Sequence, residues 1–281
     1  MQNDCLLSAP LFDTHCHLDF AELGLDLCSV LHQAVEAGVT RILVPGVSPA
    51  RWALQRDMWQ WQAQQGIAMQ LDLAMGVHPW WVQESTPDAL ALLERELQHA
   101  SQHPTTPIAA VGECGLDFAL DWLDPAAQLS HQQQQLSVLD AQLWLAQRYR
   151  KPIILHHRKS QAQLLQRIKQ AGFTQGGILH AFSGSQAQAH AFMDLGFVLG
   201  IGGTISYERA RKTRETVKKL PLEALVLETD APAMPLSGYQ GQANHPAMTR
   251  RVFDIVCQLR SESPCDIAQQ LWQTSCDVIG P

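Results

Sequence analysis

The chain has no apolar run approaching the ~18 residues a membrane span requires, so an integral membrane protein is excluded at the outset. Its first residues, Met1 to Pro10, carry neither a basic n-region nor a long apolar h-region, so no secretory signal is expected and the cytoplasm is the expected location. C-x-x-C pairs are missing too. The seven cysteines stand apart at 5, 16, 28, 114, 257, 265 and 276, which suits neither a disulfide framework nor a zinc ribbon and reads as reduced thiols. Positive charge is scarce: 20 Lys and Arg face 27 Asp and Glu, for a net charge of −7. A protein that coats long nucleic acid needs a broad basic surface. That leaves room for a local site accepting a DNA end or a small phosphoester, with no membrane and no obligate protein partner called for. Low-complexity linkers are absent, so residues 1–281 are read as one domain.

What the chain does have is a rhythm of short apolar runs alternating with longer amphipathic stretches. Strands are expected at Leu11 to Leu18, Arg41 to Val47, Leu71 to Val77, Ile108 to Gly112, Pro152 to His156, Gly177 to His180, Phe197 to Gly202 and Leu225 to Thr229. Between them, sets such as Leu27, Val30, Leu31, Ala34 and Val35, or Leu136, Leu139, Leu143 and Ala146, repeat at helical spacing and predict faces packed on a sheet. Pro87 is placed to open a helix and Gly38 and Gly172 to close others. Two further helices, Met248 to Leu259 and Pro264 to Ile279, follow the last strand. Strand and helix alternating in this way predict a parallel sheet, open or closed. Metal-type side chains at the ends of the first, third, fourth, fifth, sixth and eighth strands favour a closed (β/α)8 barrel, slightly distorted and with an extra C-terminal helix. Only a ring brings so many strand ends to one mouth.

In Asp13-Thr14-His15-Cys16-His17, the strand period of two turns His15 and His17 to one side, as a chelating pair or as solvent-facing histidines on an edge strand. Glu113 stands where an apolar run stops, either an ordinary turn acid or a carboxylate able to bridge two cations. Alternation allows one of His156 and His157 to face the axis. His156 is expected to do so, with Arg158 beyond it as a phosphate contact or a surface ion pair. His180 ends the sixth strand. Glu228 and Asp230 share parity at the end of the eighth, and Asp230 is preferred because it lies at the terminus. His78 reads as a phosphate contact or a structural histidine, and Trp80 and Trp81 as base-stacking aromatics or as packing. The basic residues Arg209, Arg211, Lys212, Arg214, Lys218 and Lys219 read as a polyanion funnel or a solvated helix face.

DTHCHLD at 13–19, GVHP at 76–79, GECGLD at 112–117, KPIILHHR at 151–158, HAFSG at 180–184 and LETDAP at 227–232 together resemble the TatD-type metal-dependent hydrolases, relatives of the amidohydrolase barrels, over nearly the whole chain. Carried across by motif, the resemblance implies metal ligands at His15, His17, Glu113, His156, His180 and Asp230, with Glu113 shared between two divalent cations (Zn, Mg or Mn). It implies cleavage of DNA, often from the 3′ end. On this reading Glu113 and Asp230 are catalytic, and His78 and Arg158 bind substrate. The sequence departs from the family pattern at Gly241-Gln242-Ala243, where basic residues are common before the Asn-x-Pro. It departs also at Leu139, where an aromatic is frequent, and at Lys159, where an acid often follows the arginine. Two other readings stand beside this one: an amidohydrolase cleaving C–N bonds or deaminating a base, and a metal-binding scaffold without catalysis.

Overall fold

The computed structural model describes residues 10–280 apart from 24–25, 85–86 and 104–105, so the stretch 1–9 read for a signal lies outside the described residues. Among the described residues, eight strands and nine α-helices alternate: β1 (Leu11–Asp13), α1 (Leu27–Glu36), β2 (Val39–Pro45), α2 (Pro49–Ala63), β3 (Gln70–Met75), α3 (Pro87–Gln102), β4 (Ile108–Asp117), α4 (Pro125–Arg148), β5 (Ile153–Arg158), α5 (Gln161–Gln170), β6 (Gly177–Leu179), α6 (Gln186–Met193), β7 (Phe197–Ile201), α7 (Arg211–Lys219), β8 (Leu225–Leu227), α8 (Thr249–Leu259) and α9 (Pro264–Ile279). The strands pair in parallel in sequence order. The ring closes where Thr14 N donates to Leu227 O at 2.9 Å, Asp230 N to His15 O at 2.8 Å and His17 N to Ala231 O at 2.8 Å. This is the expected TIM barrel.

The helix ends have local causes. Prolines stand at the first turn of α2, α4 and α9, where a missing N–H costs no intrahelical bond. Asp26, Asp124 and Ser263 accept hydrogen bonds from the first turns of α1, α4 and α9. Gly38, at φ +85°, turns the chain after α1 in a conformation L side chains avoid. Along α1, Val30, Leu31 and Ala34 are buried as the spacing predicted, and Val30 and Leu31 each contribute about 1.5–3 kcal/mol by leaving water.

One side chain from each strand fills the barrel interior: Phe12, Leu43, Ala74, Ala110, Ile154, Ile178, Val198 and Val226. The C-terminal helix is the stopper of this channel. Ile279 joins the interior cluster, and the Trp272 ring meets Phe12 at 6.2 Å. Below them the Arg41 guanidinium bonds Asp72 at 2.6 Å and the Gly280 carbonyl at 2.9 Å, so the floor is sealed by a paired charge and a helix C-terminus.

No helix among the described residues is long and apolar enough to cross a membrane. The reduced-thiol reading holds for Cys16, Cys28, Cys114, Cys257 and Cys276, which are free, and fails at Cys265, which is disulfide-bonded.

Candidate metal centre

At the opposite end of the barrel, β1 stops at Asp13, well short of the predicted Leu18. The buried Asp13 carboxylate accepts from Thr229 N at 2.9 Å, Thr229 Oγ1 at 2.6 Å and Thr249 Oγ1 at 3.1 Å, tying β1 to the segment after β8 and to α8. Burial pushes its pKa up to about 7, against those hydrogen bonds. The bend that follows matters. Phe12 already faces the interior, so strict alternation would turn His15 outward; the break at Thr14 resets the phase. His15 and His17 then both face the axis, while Cys16 joins the outer core.

A second irregularity does the same for Glu113. The β4–β5 register shifts between Val111 and Cys114, after which the pairing resumes to Asp117 and Arg158. Ala110 lines the interior and Glu113 faces the axis, although their spacing is odd. The strand therefore continues five residues past the predicted Gly112, and Asp117, of the same parity as Glu113, reaches the site as well. β5 keeps the expected alternation: His156 turns its Nδ1 to Glu113 at 3.1 Å, while His157 turns away to Gln161.

Glu228 and Asp230 divide the work that sequence parity could not divide. Buried Glu228 accepts from Ala181 N at 2.6 Å and lies 3.3 Å from His180 Nδ1, which orients that imidazole from behind. Gly200 makes this possible, since a Cβ there would come within 1.9 Å of Glu228 Oε2. Asp230, at φ +58°, turns its Oδ1 to His15 and His17.

The six expected ligands thus gather at one point. His15 Nε2 lies 3.3 Å from His17 Nε2, 3.2 Å from Glu113 Oε2 and 3.6 Å from Asp230 Oδ1. His17 Nε2 lies 3.4 and 3.5 Å from the same two oxygens. Four donors set ~2.1 Å from a common centre would stand ~3.4 Å apart, so these separations fit a divalent cation. Glu113 Oε1 faces a second set: His156 Nδ1 at 3.1 Å, His78 Nε2 at 3.5 Å and His180 Nε2 at 3.6 Å. The rings of His15 and His180 stack at 3.7 Å between the two sets.

The charges fit as well. Burial opposes ionisation of Glu113, but the surrounding imidazoles outweigh it and hold the carboxyl well below its usual range. Burial brings His78 down to about 3 and lowers His15, so both rings favour the neutral imidazole; at His78 the Trp80 N–H occupies Nδ1, which puts the ring proton on Nε2, facing Glu113. Against its burial, contacts with Asp230 and Glu113 push His17 up to about 10. A buried cluster in which carboxylates compete for imidazole protons is one where a cation takes the protons' place.

Around the cluster lies a cavity of about 110 Å3, lined by His17, Phe20, His78, Trp80, Glu113, His156 and Asp230 among others. A larger cleft of about 580 Å3 lies away from these groups, lined by Trp59 of α2 and Leu92 of α3. His78, read as a phosphate contact or a structural histidine, is buried among the donors. Arg158 stands at the rim with its side chain 62% exposed and its Nη1 3.9 Å from Asp117 Oδ2. Trp80 is exposed and Trp81 half-buried against the core. The basic run is largely a helix face: Arg211, Lys212, Lys218 and Lys219 are exposed on α7, and Arg214 is tied to the Ile205 carbonyl. Sequence reasoning gave Asp13 and Asp117 no role. The period-two spacing from Glu113 was the signal for Asp117.

A parallel barrel whose C-terminal mouth gathers imidazoles and carboxylates defines a class, the metal-dependent hydrolases built on (β/α)8 barrels. Within that class the chain belongs to the family described as TatD related DNase, whose sequence profile matches residues 12–280. It is 42% identical to the metal-dependent hydrolase YjjV of Escherichia coli K12, over 92% of this chain and 93% of that one. The crystal structure of the E. coli YjjV, a TatD homologue, superposes with a TM-score of 0.84 at 38% identity, covering 96% of this chain and 98% of the other. Further away, at 28% identity over 92% of this chain and 95% of the relative, stands a protein of Erwinia billingiae named 3'-5' ssDNA/RNA exonuclease TatD.

Proposed function

We propose that the protein hydrolyses phosphodiester bonds, with the 3′ end of single-stranded DNA as its substrate, using two divalent cations held at the barrel mouth. The observation that carries this reading is the division of Glu113, whose Oε2 faces His15 and His17 while its Oε1 faces His156 and His180. One carboxylate with an oxygen turned to each of two donor sets is an arrangement able to serve two cations. His15, His17, Glu113 and Asp230 would hold one cation, and Glu113, His156 and His180 the other. When bound, the cations supply Lewis acidity and a lowered pKa for water. The side chains do the rest. Asp230, at the cavity wall, accepts the proton of the attacking water; His78 and Arg158 hold the phosphoryl oxygens, Arg158 through its planar fork.

The family description and the Erwinia relative's name support a nucleic-acid end as substrate. Cavity size supports it too: 110 Å3 lies well below the roughly 300–1,000 Å3 of pockets that enclose a drug-sized ligand, which suits a phosphoryl group better than an enclosed nucleobase. The test is removal of metal followed by add-back of Mg, Mn, Zn or Co, assayed on 5′-labelled single-stranded DNA beside a chromogenic phosphodiester, cyclic amides and free nucleobases. Metal-dependent shortening of the DNA is expected. Turnover of an amide or a base alone would replace this reading with an amidohydrolase, and tight metal binding without any turnover would leave only a scaffold.

A further inference from the structure

Of the described residues lining the cavity, Trp80 is the large apolar side chain that remains in water, 59% exposed. An indole that merely fills space buries its rings. Here the polar edge is the part tied down: Nε1–H donates to Asp117 Oδ2 at 2.8 Å, and Asp117 itself is 1% exposed. Asp117 is fixed in turn. Its Oδ1 accepts from Ala119 N at 2.9 Å, and Gln135 of α4 clamps its backbone N–H and C=O at 2.8 Å each. On the site side the indole meets His78 and His156 edge to face, at 5.1 and 6.4 Å between ring centroids. Its backbone N–H donates to His78 Nδ1 at 3.1 Å. The ring therefore stands still while much of its surface stays bare.

Such a ring can receive a flat partner without the ordering cost a loose tryptophan would incur. The cavity behind it suits a phosphoryl group, so the rest of a nucleotide lies at the rim, where Trp80 is. The geometry points to Trp80 as a stacking platform for the base next to the scissile phosphate, with Asp117 as the positioning residue that holds the platform upright. This rests on the phosphodiesterase reading above and adds to it a preference for ends that carry a base. Trp81, its neighbour, is half-buried against the core and meets His78 at 5.4 Å between ring centroids, so it backs the platform rather than offering a bare face.

The test separates the two ideas by measuring binding without turnover. A short 5′-labelled single-stranded oligodeoxynucleotide, ending either in an ordinary 3′ nucleotide or in an abasic one, is titrated with the full-length protein in EDTA and followed by fluorescence anisotropy. The wild type is expected to prefer the base-bearing end by about 5- to 150-fold, the range that base–aromatic stacking spans. Trp80→Ala should abolish that ratio, and Asp117→Ala should reduce it. Trp80→Phe, which keeps a ring but loses the N–H, should fall between wild type and Trp80→Ala. Trp144→Ala, at a comparably exposed tryptophan on α4, should leave the ratio unchanged. A wild type indifferent to the terminal base, or a Trp80→Ala that still discriminates, overturns the platform. Failure of the metal-loaded protein to cut either oligonucleotide overturns the phosphodiesterase reading instead, whatever the binding ratio.

Discussion

The two ends of this barrel both bury charge, and they do so in opposite ways. At the floor, Arg41 finds a carboxylate in Asp72, a carbonyl in Gly280 and the face of Phe12 beneath its guanidinium. The mouth holds more charge in less space: His15 Nε2 and His17 Nε2 converge to 3.3 Å and both face Glu113 Oε2 and Asp230 Oδ1, so four donor atoms aim at one point rather than pairing off. Buried polar groups are ordinarily satisfied, because an unpaired one costs about 1–3 kcal/mol. The floor is thus a finished structure. The mouth instead turns imidazoles and carboxylates toward one another in sets able to hold a metal ion, and the contrast separates a structural ion pair from a candidate metal centre more sharply than either sequence motif does.

Four measurements can break or sharpen that contrast. The largest effect is expected at Glu113→Gln, which should cost turnover of single-stranded DNA by orders of magnitude while the circular dichroism spectrum stays native; a variant that still turns over normally would remove Glu113 from the centre. Next comes the floor. Asp72→Asn removes a carboxylate 2.6 Å from Arg41 Nε and should lower stability in urea unfolding, by up to about 3–5 kcal/mol, with kcat/KM of the folded protein unchanged. A loss of activity at constant stability would contradict the division between the two ends. Glu228→Gln loosens His180 from behind and should lower metal affinity or activity about 10–100-fold, read by metal titration. The smallest effect is expected at the exposed rim, where Arg158→Ala should raise KM a few-fold at constant kcat; a collapse of kcat instead would place Arg158 among the groups that act on the reacting atoms.

Much of this was legible in the chain. Strand and helix followed from periodicity, and α9 runs over the span that the pattern predicted, Pro264–Ile279. All six side chains proposed as ligands from their positions at strand ends are drawn together in the structure. The misses in strand geometry share one cause. Alternation assumes an unbroken strand, but β1 bends at Thr14 and β4 shifts register after Val111. Glu113 was named from its position at the end of an apolar run, whereas its direction depends on that shift. Asp117 went without a role because the strand was read as ending at Gly112, whereas it continues along β5. The choice between Glu228 and Asp230 was made on position alone, and what separates them is that only Glu228 has Ala181 N and His180 Nδ1 within reach.

By itself the sequence determined the period, the strand ends and the chemical kind of side chain placed there, since these follow from local sterics and from which groups water will release. Tertiary structure alone decided which nitrogen meets which oxygen, which of two tryptophans stays in water and which acid holds a histidine rather than facing the cluster. Those outcomes rest on contacts between residues far apart in the chain, 236 positions in the case of Thr249 on Asp13. Local pattern carries no information about such distances until the barrel closes.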